Sequence, residues 1–153
     1  MKLRQSPRIK DFTYMGSFVY NLTFVTRARE PRFTSTTLVN LCLGSLKDAS
    51  SKYGFRALAF CFMPDYLHLL VAGENESSLG DFARLFKQLT GYRFKRDYGA
   101  YLWQISYYDH VVRREEQVDS IANYIWDNPV RAGLVMNRLD YPFSGPRELM
   151  EQA

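Results

Sequence analysis

Apolar positions along the chain fall into two kinds of pattern. Short runs crowded with β-branched and aromatic residues, Phe18–Thr26 and Phe55–Met63, predict strands. Longer stretches repeat their apolar residues at helical spacing: Leu38, Leu41, Cys42, Leu46 and Ala49 in one, Phe82, Leu85, Phe86 and Leu89 in another. Thr36 or Thr37 can cap the first helix, which runs to about Tyr53 and is closed by Gly54. Ser77 or Ser78 caps the second, from Leu79 to about Tyr98, with Gly91 inside it as a point of bending or shortening. Pro64-Asp65 interrupts the apolar run between the helices. Phe55–Met63 and a third strand, His68–Ala72, are therefore expected to pair as an antiparallel hairpin. Tyr107–Arg113 predicts a fourth strand. A last long helix is expected from about Glu115 to Asn128, ended by Pro129.

The resulting order, β-α-β-β-α-β-α, is the split βαβ or ferredoxin-like α+β arrangement. It implies a four-stranded antiparallel sheet with helices on one face, plus an extra C-terminal helix. At 153 residues the chain suits a single domain with its own core. Residues 1–12 carry Lys2, Arg4, Arg8 and Lys10 with no acid before Asp11, and read as a basic arm, either solvated or phosphate-grasping. Residues 136–153 are expected to be an irregular tail, with a short helix at Glu148–Glu151.

Composition changes this picture in one respect. The chain holds 11 Tyr, 11 Phe and 2 Trp, enough both to fill a core and to stack on unpaired bases. A net charge of +4 leans towards a polyanion without requiring one. Cys42 and Cys61 form no zinc spacing and are expected to be reduced core residues. No segment reaches the apolar length of a membrane span, and the basic N-terminus lacks the apolar stretch of a signal peptide. A cytoplasmic protein without a membrane partner is the expectation.

Charge and rings coincide from Arg84 to Arg114. Seven cations (Arg84, Lys87, Arg93, Lys95, Arg96, Arg113, Arg114) face two acids, Asp97 and Asp109, with Phe86, Tyr92, Phe94, Tyr98, Tyr101, Trp103, Tyr107 and Tyr108 between them. Cations neutralise phosphates and ring faces stack on bases, so the combination favours nucleic acid. The plainer reading makes half the rings core and the charges a wet helix face.

Further positions carry candidate chemistry. Tyr124 and Asn128 lie four apart and so share a helix face. They suit a nucleophile beside an oxygen ligand, or equally a core aromatic and a C-terminal cap. His68 sits two residues after Tyr66, on the same face of its strand, and reads either as a metal ligand or, more commonly, as a hydrogen-bonded core or surface histidine. His110 on the fourth strand is ambiguous in the same way.

Met63-Pro64-Asp65-Tyr66-Leu67-His68-Leu69-Leu70 resembles the Met-Pro-x-His-x-His-Leu-Leu motif of the HUH single-strand DNA transposases. Tyr107–Arg113 and the stretch from Tyr124-Ile125-Trp126-Asp127-Asn128-Pro129 to Val135 are similar to later motifs of the REP-associated tyrosine transposase branch. Together they cover most of the chain, from about Phe12 to Phe143. The resemblance implies a ferredoxin-like core, with Tyr124 as nucleophile forming a 5′-phosphotyrosine link. It also implies a Mg²⁺ or Mn²⁺ ion held by His68 and Asn128. Tyr66 stands where the family has its first histidine, and a neutral phenol is a poorer ligand than imidazole. Metal-assisted strand cleavage and rejoining is one expectation. The alternative is a binding-only descendant that recognises DNA hairpins. An RNA-binding module ranks below both, because the strands lack its paired aromatic motifs. The expected partner is single-stranded or hairpin DNA, contacted by Arg4, Arg8, Lys87, Arg93, Lys95, Arg96, Arg113 and Arg131. The branch implies a monomer associated with the nucleoid.

Overall fold

The computed structural model describes residues 16–113 and 116–153. The expected basic arm, with Arg4 and Arg8, lies outside the described residues, as do Arg114 and Glu115. Five strands form one sheet in the order β4-β1-β3-β2-β5, where β1 is Val19–Val25, β2 Phe55–Met63, β3 Tyr66–Gly73, β4 Tyr108–Val112 and β5 Ser144–Gly145. The first four are the expected antiparallel set, with β1 and β3 in the middle. The two-residue β5 extends the sheet beyond the four strands expected, pairing with Phe60 and Cys61. A Cβ on Gly145 would meet the Phe60 ring at 2.6 Å, so a larger residue there would have to displace that ring.

Helices α1 (Thr36–Tyr53) and α2 (Leu79–Tyr98) cover one face of the sheet. Gly54 closes α1 in the left-handed conformation, as its position predicts. The N-cap of α1 is Ser35 rather than Thr36 or Thr37. Ser78 caps α2 by accepting from the Asp81 amide, and α2 passes through Gly91 unbroken. Alternate residues of the central strands point at these helices: Tyr20, Leu22 and Phe24 from β1, Leu67, Leu69 and Val71 from β3. Phe24 is ringed by Phe86, Trp103 and Tyr107 at centroid distances of 5.2, 5.8 and 5.3 Å. Each such buried side chain contributes roughly 1.5–3 kcal/mol of transfer free energy.

Helix α3 (Glu116–Trp126) packs on the opposite face, against Cys61, Met63, Leu70 and Val112. It ends two residues sooner than Pro129 suggests. Pro129 sits at the start of a further turn, α4 (Asn128–Arg131), where its missing N–H removes little. Amides of Asp127 and Arg131 still bond four residues back, so α4 continues the path of α3 past a jog. The tail from 136 onwards is not irregular. It forms a 3-10 turn (Arg138–Asp140), β5 and a helix, α5 (Arg147–Glu151). Its Tyr141, Phe143 and Met150 complete the second core. The Trp126 indole donates to the Gly145 carbonyl at 2.8 Å, which ties α3 to β5. The Tyr141 hydroxyl donates to the Phe62 carbonyl, which fastens the tail to β2.

Candidate functional site

The alternation of β3 sorts its side chains. Leu67, Leu69 and Val71 enter the core under α1 and α2, so Tyr66, His68 and Leu70 face α3. Residues 124, 128 and 131 recur at i, i+4 and i+7 across α3 and α4, which brings Tyr124, Asn128 and Arg131 to that same face. The His68 and Tyr124 rings meet edge to face, centroids 6.5 Å apart. Arg131 lies over the Tyr124 ring, its guanidinium carbon 3.7 Å from the centroid, and donates to the Tyr124 carbonyl at 2.7 Å. The same guanidinium nitrogen reaches Asn128 Oδ1 at 3.2 Å. Tyr124 is 58% exposed, so its phenol is open to a ligand from solvent.

Three neighbours set the protonation of the pocket. Burial, helped by the Arg131 charge, holds His68 down to about 4 from an ordinary 6.5. His68 is thus neutral near pH 7. With one ring proton, its Nε2 donates to Asn21 Oδ1 at 2.7 Å. Burial pushes the Tyr66 phenol up, while a side-chain hydrogen bond with Asn128 works the other way. The Asn128 side chain thus meets both the Arg131 guanidinium and the Tyr66 phenol. Cys61 pairs with His68 across the strands, and burial raises its thiol to about 12, so it stays neutral.

The donor set does not fit a hard divalent cation. Asn128 Oδ1 already accepts from a guanidinium, whose charge also opposes a cation there. Asp65 pairs with Arg29 at 2.8 Å. His110 lies on the pocket's side of the sheet, opposite Asn21, and adds a second imidazole but no carboxylate. No cluster of three or more His, Cys, Asp or Glu placed to hold a metal occurs among the described residues. Mg²⁺ and Mn²⁺ favour carboxylate and carbonyl oxygens.

The other expected DNA contacts divide by face. Arg131 belongs to the pocket, and Arg113 is exposed just after β4. Lys87, Arg93, Lys95 and Arg96 all lie on α2, across the sheet from Tyr124. Lys87 is spent on the carbonyls of Gln104 and Ser106 at 3.1 and 2.9 Å. Arg93 ties α2 to α1 through Ser45 at 2.7 Å and Asp48 at 3.6 Å. Arg96 pairs with Asp97 at 2.8 Å, and Lys95 lies over the Tyr101 ring.

Asn21 was not foreseen. The available signal is a lone carboxamide in a strand whose other face, Tyr20, Leu22 and Phe24, is apolar.

Comparison with known proteins bears on the fold and the family. Solved structures that share the fold include two relatives. One is a REP-associated tyrosine transposase bound to a REP hairpin, with a TM-score of 0.77 and 19% identity, covering 94% of this chain and 84% of that one. The other is a transposase-like protein from Deinococcus radiodurans, with a TM-score of 0.56 and 25% identity, covering 77% of this chain and 95% of that one. A Haemophilus influenzae protein named for the REP-associated tyrosine transposases is 29% identical over 147 residues, covering 88% of this chain and 82% of its own. The profile of the IS200-like transposases matches residues 15–128, most of the chain and the whole of the pocket up to Asn128, and the protein therefore belongs to the IS200-like transposase family.

Proposed function

We propose that this chain binds hairpin-bearing single-stranded DNA and that Tyr124 cleaves it by nucleophilic attack. The observation that carries the reading is the meeting of Tyr124, His68 and Arg131 in one pocket, with the phenol exposed and a guanidinium over its ring. The hairpin comes from the relative whose bound partner is a REP hairpin. In the step itself, the Tyr124 oxygen bonds to phosphorus and the bond from phosphorus to the 3′-oxygen breaks. The phenol proton leaves to solvent, and the departing oxygen takes one up as a 3′-hydroxyl. The covalent 5′-phosphotyrosine conserves the bond energy for rejoining, so no nucleotide cofactor is consumed. Arg131 presents donors to the phosphate oxygens where charge accumulates.

One observation favours a second reading, binding without cleavage. Tyr66 stands in the place of the first motif histidine, and Asn128 is engaged by Tyr66 and Arg131. A single experiment separates the two. Protein is incubated with a labelled hairpin oligonucleotide, with Mn²⁺ or with chelator, and adducts are resolved on a denaturing gel. Cleavage predicts a covalent species in the wild type that Tyr124→Phe abolishes. A hairpin shifted on a parallel native gel, with no adduct in either condition, establishes the binding-only reading. An adduct that survives Tyr124→Phe removes Tyr124 from the role.

A further inference from the structure

On the α2 side of the sheet lies a groove of about 510 Å³, formed by α2, Arg27 and the loop from Gly99 to Tyr107. The loop has little regular structure, yet it is fastened throughout. Thr26 and Trp103 form a β-bridge. The Arg27 amide donates to Leu102 and the Gln104 amide to Val25, at 2.9 and 3.0 Å. The Trp103 indole donates to Thr90 at 2.8 Å, and Lys87 holds two loop carbonyls. A groove held this way is preorganised, so an occupant costs little ordering.

Its surface is unusual for a solvated wall. Tyr92 is 72% exposed and Ile105 88%, although both are large and apolar. Arg27 and Lys95 both lie over the Tyr101 ring, at 4.9 and 4.5 Å from its centroid. Among the described residues, no carboxylate lines the groove. Cations gathered beside an open ring, without acids, complement a chain of phosphates and bases better than an acidic or neutral peptide. The groove also shares an end of the sheet with the tyrosine pocket. The Thr26 amide bonds to the carbonyl of Asp65, the residue before Tyr66.

The geometry points to this groove as a second DNA site, which takes unpaired nucleotides flanking the hairpin. Tyr92 stacks on a base, while Arg27 and Lys95 hold the adjoining phosphates. The inference rests on the DNA-binding reading above and assigns part of that substrate to a separate surface.

Fluorescence anisotropy with two oligonucleotides tests it. One is a hairpin carrying a single-stranded flank of about eight nucleotides, the other the same hairpin with blunt ends. The wild type is expected to bind the flanked form more tightly. Tyr92→Ala should weaken that form by about tenfold and leave the blunt form unchanged. Alanine suits an exposed helix position, and a thermal melt checks that the variant folds. Lys95→Gln should reduce the slope of log affinity against log salt by about 0.7 on the flanked form alone. Equal wild-type affinity for the two forms overturns the groove assignment and leaves the hairpin reading standing. So does a Tyr92→Ala effect that is absent or equal on both. Binding to neither form removes both proposals.

Discussion

Arg131 covers the ring of Tyr124 at 3.7 Å and bonds to its backbone carbonyl, so one guanidinium both fixes the phenol and stands beside it. Arginine's planar fork suits this double role, and lysine offers only a point charge. Arg131→Ala should lower adduct formation by about 10²–10³, the usual scale for a lost charge-stabilising donor. Arg131→Lys should fall between that variant and the wild type. Both should melt close to the wild type, because the side chain is exposed. Single-turnover adduct yields and thermal melts provide the check. Unchanged yield in Arg131→Ala would show that the contact positions nothing.

Tyr66 permits a test of the donor argument. Replacing Tyr66 by histidine places two imidazoles two residues apart on one strand face. Tyr66→His should bind Mn²⁺ at least about tenfold more tightly than the wild type, since imidazole exceeds a neutral phenol as a ligand. Titration calorimetry or Mn²⁺ paramagnetic resonance reads this directly, without reference to cleavage. Equal affinity in the two proteins would mean that the first motif position does not limit cation binding.

His68 gives the pocket a pH signature. Its folded value of about 4 lies below the unfolded 6.5, so near pH 7 both states are neutral and its contribution is fully present. As pH falls from 6.5 towards 4, the unfolded chain takes a proton that the folded chain refuses, and stability is lost. The full loss is on the order of 3 kcal/mol. Urea unfolding between pH 7 and 4.5 should show this decline, and it should be shallower in His68→Gln. Parallel pH profiles would place the titration elsewhere.

The C-terminal tail should matter for stability. Tyr141→Phe removes one buried hydroxyl and leaves the Phe62 carbonyl without that donor. A cost of about 1–2 kcal/mol is expected in chemical denaturation. Adduct formation should change little at temperatures where the variant remains folded. A cost near zero would indicate that the tail docks through packing alone.

Much of this molecule is legible in its sequence. β1, α1, the β2–β3 hairpin, α2, β4 and α3 follow from periodicity and capping, because each is decided within its own segment. The pairing of Tyr124 with His68 was readable once the motif order was recognised. From the sequence Arg131 reads only as one of several DNA contacts, whereas its step of seven from Tyr124 places it on the same face. Ending the helix at Asn128 because of Pro129 hid that step. Asn21 could not be matched to His68, since their contact depends on the β1–β3 register, set by strands 47 residues apart. The cations of α2 were counted together with Arg131 because charge density along a sequence carries no information about faces. The two-residue β5 falls below any pattern a single sequence can display.

The two-sidedness of β3 has a consequence for how such a protein can change. Leu67, Leu69 and Val71 answer to the packing of one half of the molecule, Tyr66 and His68 to the reactivity of the other. The two sets of side chains can therefore be altered separately. A substitution at residue 66 should leave the hydrophobic scaffold one residue away undisturbed.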